Sequence, residues 1–378
     1  MADKASRALV VYGDGLADLV SPLHSHLHSF VSRASCGFLS LRDPPDAQGN
    51  AVSLLLFSAS CGSYRSSMLR VFPDDNGSVR FKMIVLVVLS GQIISNVESE
   101  NARRIREIAQ LLDVYDFYTA MKGHHAEMNI SKDKDDLSVP TISQRFMGLR
   151  AAIFTDCIDV GSFASKLGFT VSQLSELIKR VHAGVNPYEN FDNNATVLEL
   201  LKLLGFSGGE VLEDYDYDLV FLHITPDHKL NDEKSGKAIN TDINFFNKLV
   251  GGVVNAAHPG SLVASRLHFS VVLSYGAVSG SDQSCSLNLN LFTETNSDLL
   301  LLCPHQSYTM KGGNILPDIR HHHPMLIAQW QEGVTRRDIA MKFCFDDFRE
   351  HGGNLAILAD RFLYEVAFKL WKAPKYGA

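Results

Sequence analysis

The sequence predicts an α/β protein built on a mainly parallel sheet with helices on both faces. Short apolar runs, bounded by glycine, proline or aspartate, alternate along the chain with longer segments of helical periodicity. The apolar runs are continuous, which is typical of parallel strands that are buried on both faces. An alternation of strands and helices produces a sheet that is covered on both sides.

The first elements of this pattern lie at the start of the chain. Ala8 to Tyr12 is an apolar run that Gly13-Asp14-Gly15 ends, which predicts a buried strand followed by a loop. A helix is predicted over 23–34 and a second strand over 37–41. The chain therefore opens as a β-α-β unit.

The alternation resumes in the second half of the chain. Strands are predicted over 151–154, 218–224, 269–273 and 325–328, and helices over 161–167, 171–181, 196–204 and 242–256. Parallel sheets bind ligands at the carboxyl ends of their strands. We therefore expect three loops to converge there: Gly13-Asp14-Gly15, Pro226-Asp227 and Ser274-Tyr275-Gly276.

Between residues 64 and 144 the composition changes. Pro73 to Gly77 predicts a turn between two strand-like runs, and a helix is predicted over 102–112. The charge run SKDKDD at 131–136 suits a solvated boundary. We interpret 64–144 as an inserted, smaller α+β subdomain, and 1–63 with 145–378 as the core domain.

Composition excludes several classes of protein. The 378 residues carry a formal net charge of -7, which gives no basic surface for nucleic acid. The most apolar run, Met83 to Leu89, is too short for a membrane-spanning helix, which needs about 20 residues. The N-terminus lacks a signal-peptide pattern. The six cysteines are scattered without a CxxC pair, which indicates reduced thiols in a cytoplasmic protein.

Several of these segments share the pattern of one family. LVVYGDGLAD (9–18) is a strand that ends in a DG-type turn, DYDLVFLHITPD (216–227) is a strand that ends in Asp, and HPMLIAQWQEGVTRRD (323–338) is a strand with its loop. The segment 144–169, which lies between the first two, also matches by the character and order of its residues, and 345–370 matches the family's closing acidic turn, Gly-rich loop and final helix. Together they resemble archaeal-type cofactor-independent phosphoglycerate mutases of the alkaline phosphatase superfamily, and they imply that alkaline-phosphatase-like fold over 7–62 and 144–370.

The resemblance also implies that most of the family's metal-and-nucleophile site is replaced in this chain. In that family, two divalent metals activate a serine that takes the phosphoryl group. The nucleophile position matches Gly49, which has no hydroxyl, and an Asp-His pair of metal ligands matches Tyr275-Gly276. Asp14 and Asp227 match the two aspartate ligands. Two family histidines fall near Asn231 and Asp318.

The candidate metal ligands are accordingly Asp14, Asp227, Asp318 and His323. Imidazole suits Zn and Mn, so His321-His322-His323 are candidate ligands. Two structural alternatives stay open. An aspartate between glycines is also a common turn former, and adjacent histidines point in different directions.

Three arginines, Arg103, Arg104 and Arg106, lie on the helix predicted in the inserted region. The family supplies substrate-binding arginines from this region. A solvated helix face is nevertheless the interpretation that we favour for them.

The sequence predicts a catalytically degenerate phosphoglycerate-mutase-like protein that binds a phosphorylated small molecule or a protein partner. Such a protein requires no cofactor. The alternative is an active metal-dependent mutase or phosphohydrolase with a rearranged site, for which Mn, Mg or Zn is the expected cofactor. Nucleic acid and a membrane span are not expected in either case.

Overall fold

The computed structural model describes residues 6–43, 68–73, 79–84, 99–119, 139–181, 193–226, 235–277, 298–302, 310–311, 314–315, 318–320, 322–352 and 356–374. The chain divides into two compact units, Met1–Arg42 with Glu100–Ala378, and Asp43–Ser99. The helix predicted over 102–112 belongs to the first unit. The domain limits predicted from the sequence, 64 and 144, stay a prediction.

The strands of the described residues are β1 (Arg7–Gly13), β2 (Ser35–Ser40), β3 (Met68–Pro73), β4 (Val79–Ile84), β5 (Ala151–Thr155), β6 (Thr170–Ser172), β7 (Phe206–Ser207), β8 (Glu210–Val211), β9 (Leu219–Ile224), β10 (Leu267–Leu273), β11 (Met310–Lys311), β12 (Asn314–Ile315), β13 (Met325–Trp330) and β14 (Ala356–Leu358).

The helices are α1 (Ser25–Val31), α2 (Glu100–Leu111), α3 (Ile142–Arg145), α4 (Ile158–Lys166), α5 (Leu174–Val181), α6 (Asn193–Leu203), α7 (Ser235–Ala256), α8 (Leu262–Arg266), α9 (Phe345–His351) and α10 (Phe362–Lys369). Short 3-10 turns lie at Ala17–Leu19, Asp298–Leu301 and Ala359–Arg361.

The first unit is built on an eight-stranded sheet of the order β14-β2-β13-β10-β1-β9-β5-β6 among the residues that the structure describes. Strand β1 lies at its centre and pairs in parallel with β10 and β9. The pairs β5–β9, β5–β6 and β14–β2 are also parallel. Only β13 runs antiparallel to its neighbours, β10 and β2, within these described pairings. The predicted mainly parallel sheet is confirmed.

Helices cover both faces of this sheet. Successive side chains of a strand point to opposite faces, so a strand that is apolar at every position presents an apolar surface on each face, and each must be covered. Leu9 and Val11 of β1 join a core cluster that includes residues of α1 and α7. Ala8, Val10 and Tyr12 join a second cluster with residues of α2, α4 and α10. Full burial of each such leucine or valine stabilises the fold by about 1.5–3 kcal/mol. The predicted α/β class is therefore confirmed.

One predicted element has a different structure. The sequence predicts a helix over 171–181, but the helix α5 begins at Leu174. The preceding residues form β6, which pairs in parallel with β5 through Val171 and Ile153. The β-branched pair Thr170-Val171 packs well on a pleated edge, and the added sheet pairing decides the structure there.

The second unit contains an antiparallel hairpin of β3 and β4, in which Met68 pairs with Ile84 and Pro73 with Val79. The centre of the turn that the sequence predicts between these strands lies outside the described residues, as does the apolar segment 52–57. In the parts of the chain that the structure describes, no helix is long and apolar enough to cross a membrane.

Candidate functional site

Three strands end side by side at the carboxyl edge of the sheet. The register pairs Gly13 of β1 with Leu273 of β10 and with Ile224 of β9. The Asp14 N–H donates to the carbonyl of Ile224 at 2.9 Å, and the Ser274 N–H donates to the carbonyl of Gly13 at 3.0 Å. The loops that follow the three strands therefore meet, as the parallel arrangement predicts.

Two glycines allow these loops to approach closely. Gly15 and Gly276 have φ angles of 72° and 73°, in the left-handed region that favours glycine. A Cβ built on Gly276 would lie 3.0 Å from the Gly15 Cα, and a Cβ built on Gly15 would lie 4.0 Å from the Pro226 ring. Backbone from the ends of three strands thus surrounds Asp14.

Asp14 is buried, and arginines bind both of its carboxylate oxygens. Arg103 Nη2 donates to Oδ1 at 2.7 Å, and Arg104 Nε donates to Oδ2 at 3.1 Å. Burial acts to raise the pKa of Asp14, but His223 and Arg103 more than offset it and hold the pKa well below its usual range. The predicted metal ligand is a charged carboxylate whose counter-ions are two guanidinium groups.

Arg103 lies between three carboxylates. Its guanidinium binds Glu100 at 2.6 Å, Asp14 at 2.7 Å and Glu107 at 2.8 Å. The prediction of a solvated helix face for the arginines was wrong, since only 5% of Arg103 and 7% of Arg106 is exposed. Helical periodicity shows which positions share a face. It does not show which carboxylates the tertiary structure places opposite that face.

Glu107 is a fully buried carboxylate that the sequence analysis missed. The Tyr12 hydroxyl donates to its Oε2 at 3.0 Å, while its Oε1 has no hydrogen-bond partner and lies 3.9 Å from Arg320 Nη1. Burial raises the pKa of Glu107 although Arg103 opposes the shift. Burial likewise raises the pKa of Tyr12, with the charges of Asp14 and Glu107 adding to the effect.

His223 is a second residue that the sequence analysis missed. It pairs with Tyr12 across β9 and β1, and the two rings stack with their centroids 5.5 Å apart. Its Nδ1 is hydrogen-bonded to Thr155 Oγ1 at 2.8 Å, and its Nε2 lies 3.8 Å from Asp14 Oδ2 without a hydrogen-bond partner. A histidine inside the apolar run LVFLHI (219–224) was the sequence signal that could have identified it.

The other predicted ligands occupy different surroundings. Asp318 accepts a hydrogen bond from Arg42 Nε at 2.6 Å. The His323 N–H donates to Asp298 Oδ2 at 2.7 Å, and its ring contacts the Tyr275 ring edge-on with centroids 4.9 Å apart. Asp227 and the proposed nucleophile position, Gly49, lie outside the described residues. The assignments of Asp227 as a metal ligand and of Gly49 as the nucleophile position therefore stay predictions.

The direction of β13 explains which of its flanking segments lies near the site. Because β13 is antiparallel to β10, the residues that precede it lie at the carboxyl edge of β1. Arg320 and His323 accordingly approach Glu107 and Tyr275. The loop after β13 lies at the opposite edge of the sheet.

The donor groups around Asp14 do not fit a divalent metal. In the ranges that the structure describes, no three His, Cys, Asp or Glu side chains are placed to hold a metal ion. The cationic groups of Arg103 and Arg104 already bind the Asp14 oxygens. Tyr275 and Gly276, which follow β10, offer neither a carboxylate nor an imidazole.

No protein family matches the sequence, and no curated protein matches it. Among solved structures, the chain is similar to the PH0037 protein of Pyrococcus horikoshii, at 12% identity over 100% of both chains and a TM-score of 0.45. It is also similar to a cofactor-independent phosphoglycerate mutase from Thermoplasma acidophilum, at 10% identity over 97% of this chain and 99% of the other, with a TM-score of 0.41. A protein in the alkaline phosphatase superfamily from Vibrio parahaemolyticus shares 11% identity over 89% of this chain and 62% of its own, with a TM-score of 0.33.

Proposed function

We propose that this chain is a phosphoglycerate-mutase-like protein without metal-dependent phosphoryl transfer, and that its fold serves to bind a phosphorylated small molecule or a protein partner. The observation that carries the proposal is the pairing of both Asp14 oxygens with Arg103 and Arg104. The likeness to the mutase family itself comes from the segments around Asp14 and Asp227 in the sequence.

The energetics of the cluster oppose a metal at Asp14. A dication on this carboxylate would lie within about 4 Å of a guanidinium, where repulsion costs about 4 kcal/mol per unit of charge at an effective dielectric constant near 20. Displacing either guanidinium to make room for the ion would also give up its contact with Asp14, at 2.7 Å for Arg103 or 3.1 Å for Arg104. The two arginines thus make Asp14 a structural anion rather than a metal ligand.

The groups that would perform the reaction are also altered. Phosphoryl transfer through a covalent intermediate needs an activated hydroxyl, and the resemblance matches that position to Gly49. The Tyr275 ring packs against His323 at the place of the family's Asp-His pair, and burial raises the pKa of its hydroxyl above the usual range. A neutral phenol there is not a ligand for Mn or Zn.

The proposal includes a cytoplasmic location. Among the described residues, Cys36, Cys157 and Cys344 are free thiols. Reduced cysteines are typical of cytoplasmic proteins.

The test is an activity assay of the purified full-length chain. We expect no interconversion of 2- and 3-phosphoglycerate with Mn or Co, and no hydrolysis of p-nitrophenyl phosphate, above a blank without protein. A metal-dependent turnover that Asp14→Asn abolishes would refute the proposal. A rise in melting temperature with added 3-phosphoglycerate, in the absence of turnover, would support a phosphorylated small molecule as the ligand.

A further inference from the structure

Two arginines, Arg33 and Arg337, are held near each other at the amino edge of the sheet, where β2 begins and β13 ends. The Asp338 N–H donates to the Ala34 carbonyl at 3.0 Å, and Asp338 Oδ2 accepts the Cys36 N–H at 2.8 Å. Each arginine directly precedes one of the residues joined by the first bond. Burial lowers the pKa of Arg33, and the charge of Arg337 lowers it further.

These two guanidinium groups differ from that of the arginine between them and the start of the loop. Within the described part of the chain, neither Arg33 nor Arg337 has a carboxylate partner or a side-chain hydrogen bond. Arg336 binds Asp338 Oδ1 through its Nε at 2.6 Å and donates to the Gly352 carbonyl at 2.9 Å. Like charges repel, and an anion bound between them would turn that repulsion into attraction.

We propose that Arg33 and Arg337 form a binding site for a phosphate monoester that carries an apolar substituent. A phosphate monoester is mostly a dianion at pH 7.5, since its second pKa is about 6, and two guanidinium groups match that charge. Each guanidinium can donate two parallel hydrogen bonds to phosphate oxygens. The site lies at the edge of the sheet opposite Asp14, so the inference goes beyond the proposed function and does not depend on the chemistry at the carboxyl edge.

The surface beside Arg337 supports an apolar substituent. The side chains alternate along this loop: Arg337, Ile339 and Met341 are exposed, whereas Asp338 and Ala340 are buried. The exposed fraction is 80% for Ile339 and 71% for Met341. A ligand that covers such side chains gains hydrophobic free energy. The loop thus offers a positive charge to the phosphoryl group and, next to it, apolar surface to the rest of the ligand.

Arg349 provides a matched control on α9, the helix that follows this loop. Like Arg33 it is half-buried. Its Nη2 lies 3.2 Å from Asp346 Oδ1 and 3.9 Å from Glu350 Oε1, so its charge already has partners within the chain. Replacement of Arg349 removes the same charge from the same region without removing a donor from the proposed site.

The experiment is isothermal titration calorimetry of the full-length chain with phenyl phosphate at pH 7.5, with NaCl keeping the ionic strength constant. We expect one phenyl phosphate per wild-type chain. Arg33→Ala and Arg337→Ala should each weaken binding about 10-fold or more, since each loses charge-assisted hydrogen bonds, and Arg349→Ala should bind as wild type does. Ile339→Ser should weaken binding of phenyl phosphate and leave the weaker binding of inorganic phosphate unchanged.

A second measurement distinguishes a soluble monoester from a lipid headgroup of the same chemistry. Wild type is sedimented with phosphatidylcholine vesicles that contain or lack phosphatidic acid. Binding that requires phosphatidic acid and is lost in Arg337→Ala supports the site and assigns it to a lipid. Binding of phenyl phosphate without binding of vesicles supports the site and assigns it to a soluble ligand.

The inference is overturned if wild type binds neither phenyl phosphate nor vesicles with phosphatidic acid, or if the Arg33 and Arg337 variants bind as wild type does. Melting temperatures show whether each variant is folded. If Arg33→Ala does not fold, Arg337→Ala, at an exposed position, decides by the same criterion. Metal-dependent turnover by wild type would refute the proposed function and leave this inference standing, so the two failures are distinguishable.

Discussion

His268 makes the stability of the protein depend on pH, and the size of the effect follows from its burial. The residue lies in β10 and is fully buried, with Nδ1 unpartnered and Nε2 3.2 Å from Ser270 Oγ. The Gln329 amide nitrogen lies 3.4 Å from the same Nε2, and Lys369 adds a positive charge nearby. Burial, with Lys369 adding to it, lowers the pKa of His268 well below 6.5.

The sign of this pH dependence follows from whether the folded or the unfolded state binds the proton on His268. The unfolded chain protonates His268 near pH 6.5, whereas the folded protein keeps the imidazole neutral. Stability that is present above pH 6.5 is therefore lost as the pH falls below it. Between pH 7.5 and 5.5 the loss is about 1.4 kcal/mol, since one pH unit below the unfolded pKa corresponds to about 1.36 kcal/mol.

The assay is urea denaturation at pH 7.5 and 5.5 of wild type and of His268→Gln, whose amide can still bond to Ser270. Other groups titrate in this range, so the quantity measured is the difference between the two proteins. We expect the wild type to lose about 1.4 kcal/mol more than His268→Gln over this interval. His258→Gln, at an exposed histidine, is the control and should follow wild type. Equal pH dependence of wild type and His268→Gln would refute the reasoning.

Two further predictions concern the carboxyl edge of the sheet. Tyr12→Phe removes the donor to Glu107 Oε2 and should lower the free energy of unfolding by about 1–3 kcal/mol in urea denaturation; an unchanged value would show that the hydroxyl does not stabilise this carboxylate. Gly276→Ala combines a φ of 73° with a Cβ 3.0 Å from the Gly15 Cα, whereas Gly209→Ala has a φ of 83° and open space. Both should lose about 1 kcal/mol to backbone strain, and Gly276→Ala should lose more; equal losses would contradict the close approach of the two loops.

The sequence determined the strands at the centre of the sheet. Apolar runs predicted strands over 8–12 and 269–273, and the structure has β1 at Arg7–Gly13 and β10 at Leu267–Leu273. These strands can be recognised from the sequence because a strand buried on both faces has apolar side chains at every position. The meeting of the loops at Asp14 also followed from the sequence, because parallel strands place their carboxyl ends at one edge.

The tertiary structure decided what the sequence pattern could not express. The burial of a strand is visible in the sequence as a run of apolar residues. The direction of a strand and the partners of its ion pairs leave no such local signal. The antiparallel direction of β13 placed Arg320, rather than the loop that follows this strand, beside Glu107. The pairing of Arg103 with Asp14 joins residues 89 positions apart, and no spacing rule connects them. An arginine on a helix has the same local pattern whether its partner is water or a buried carboxylate, so only the packing of α2 against the end of β1 determined the chemistry of Asp14.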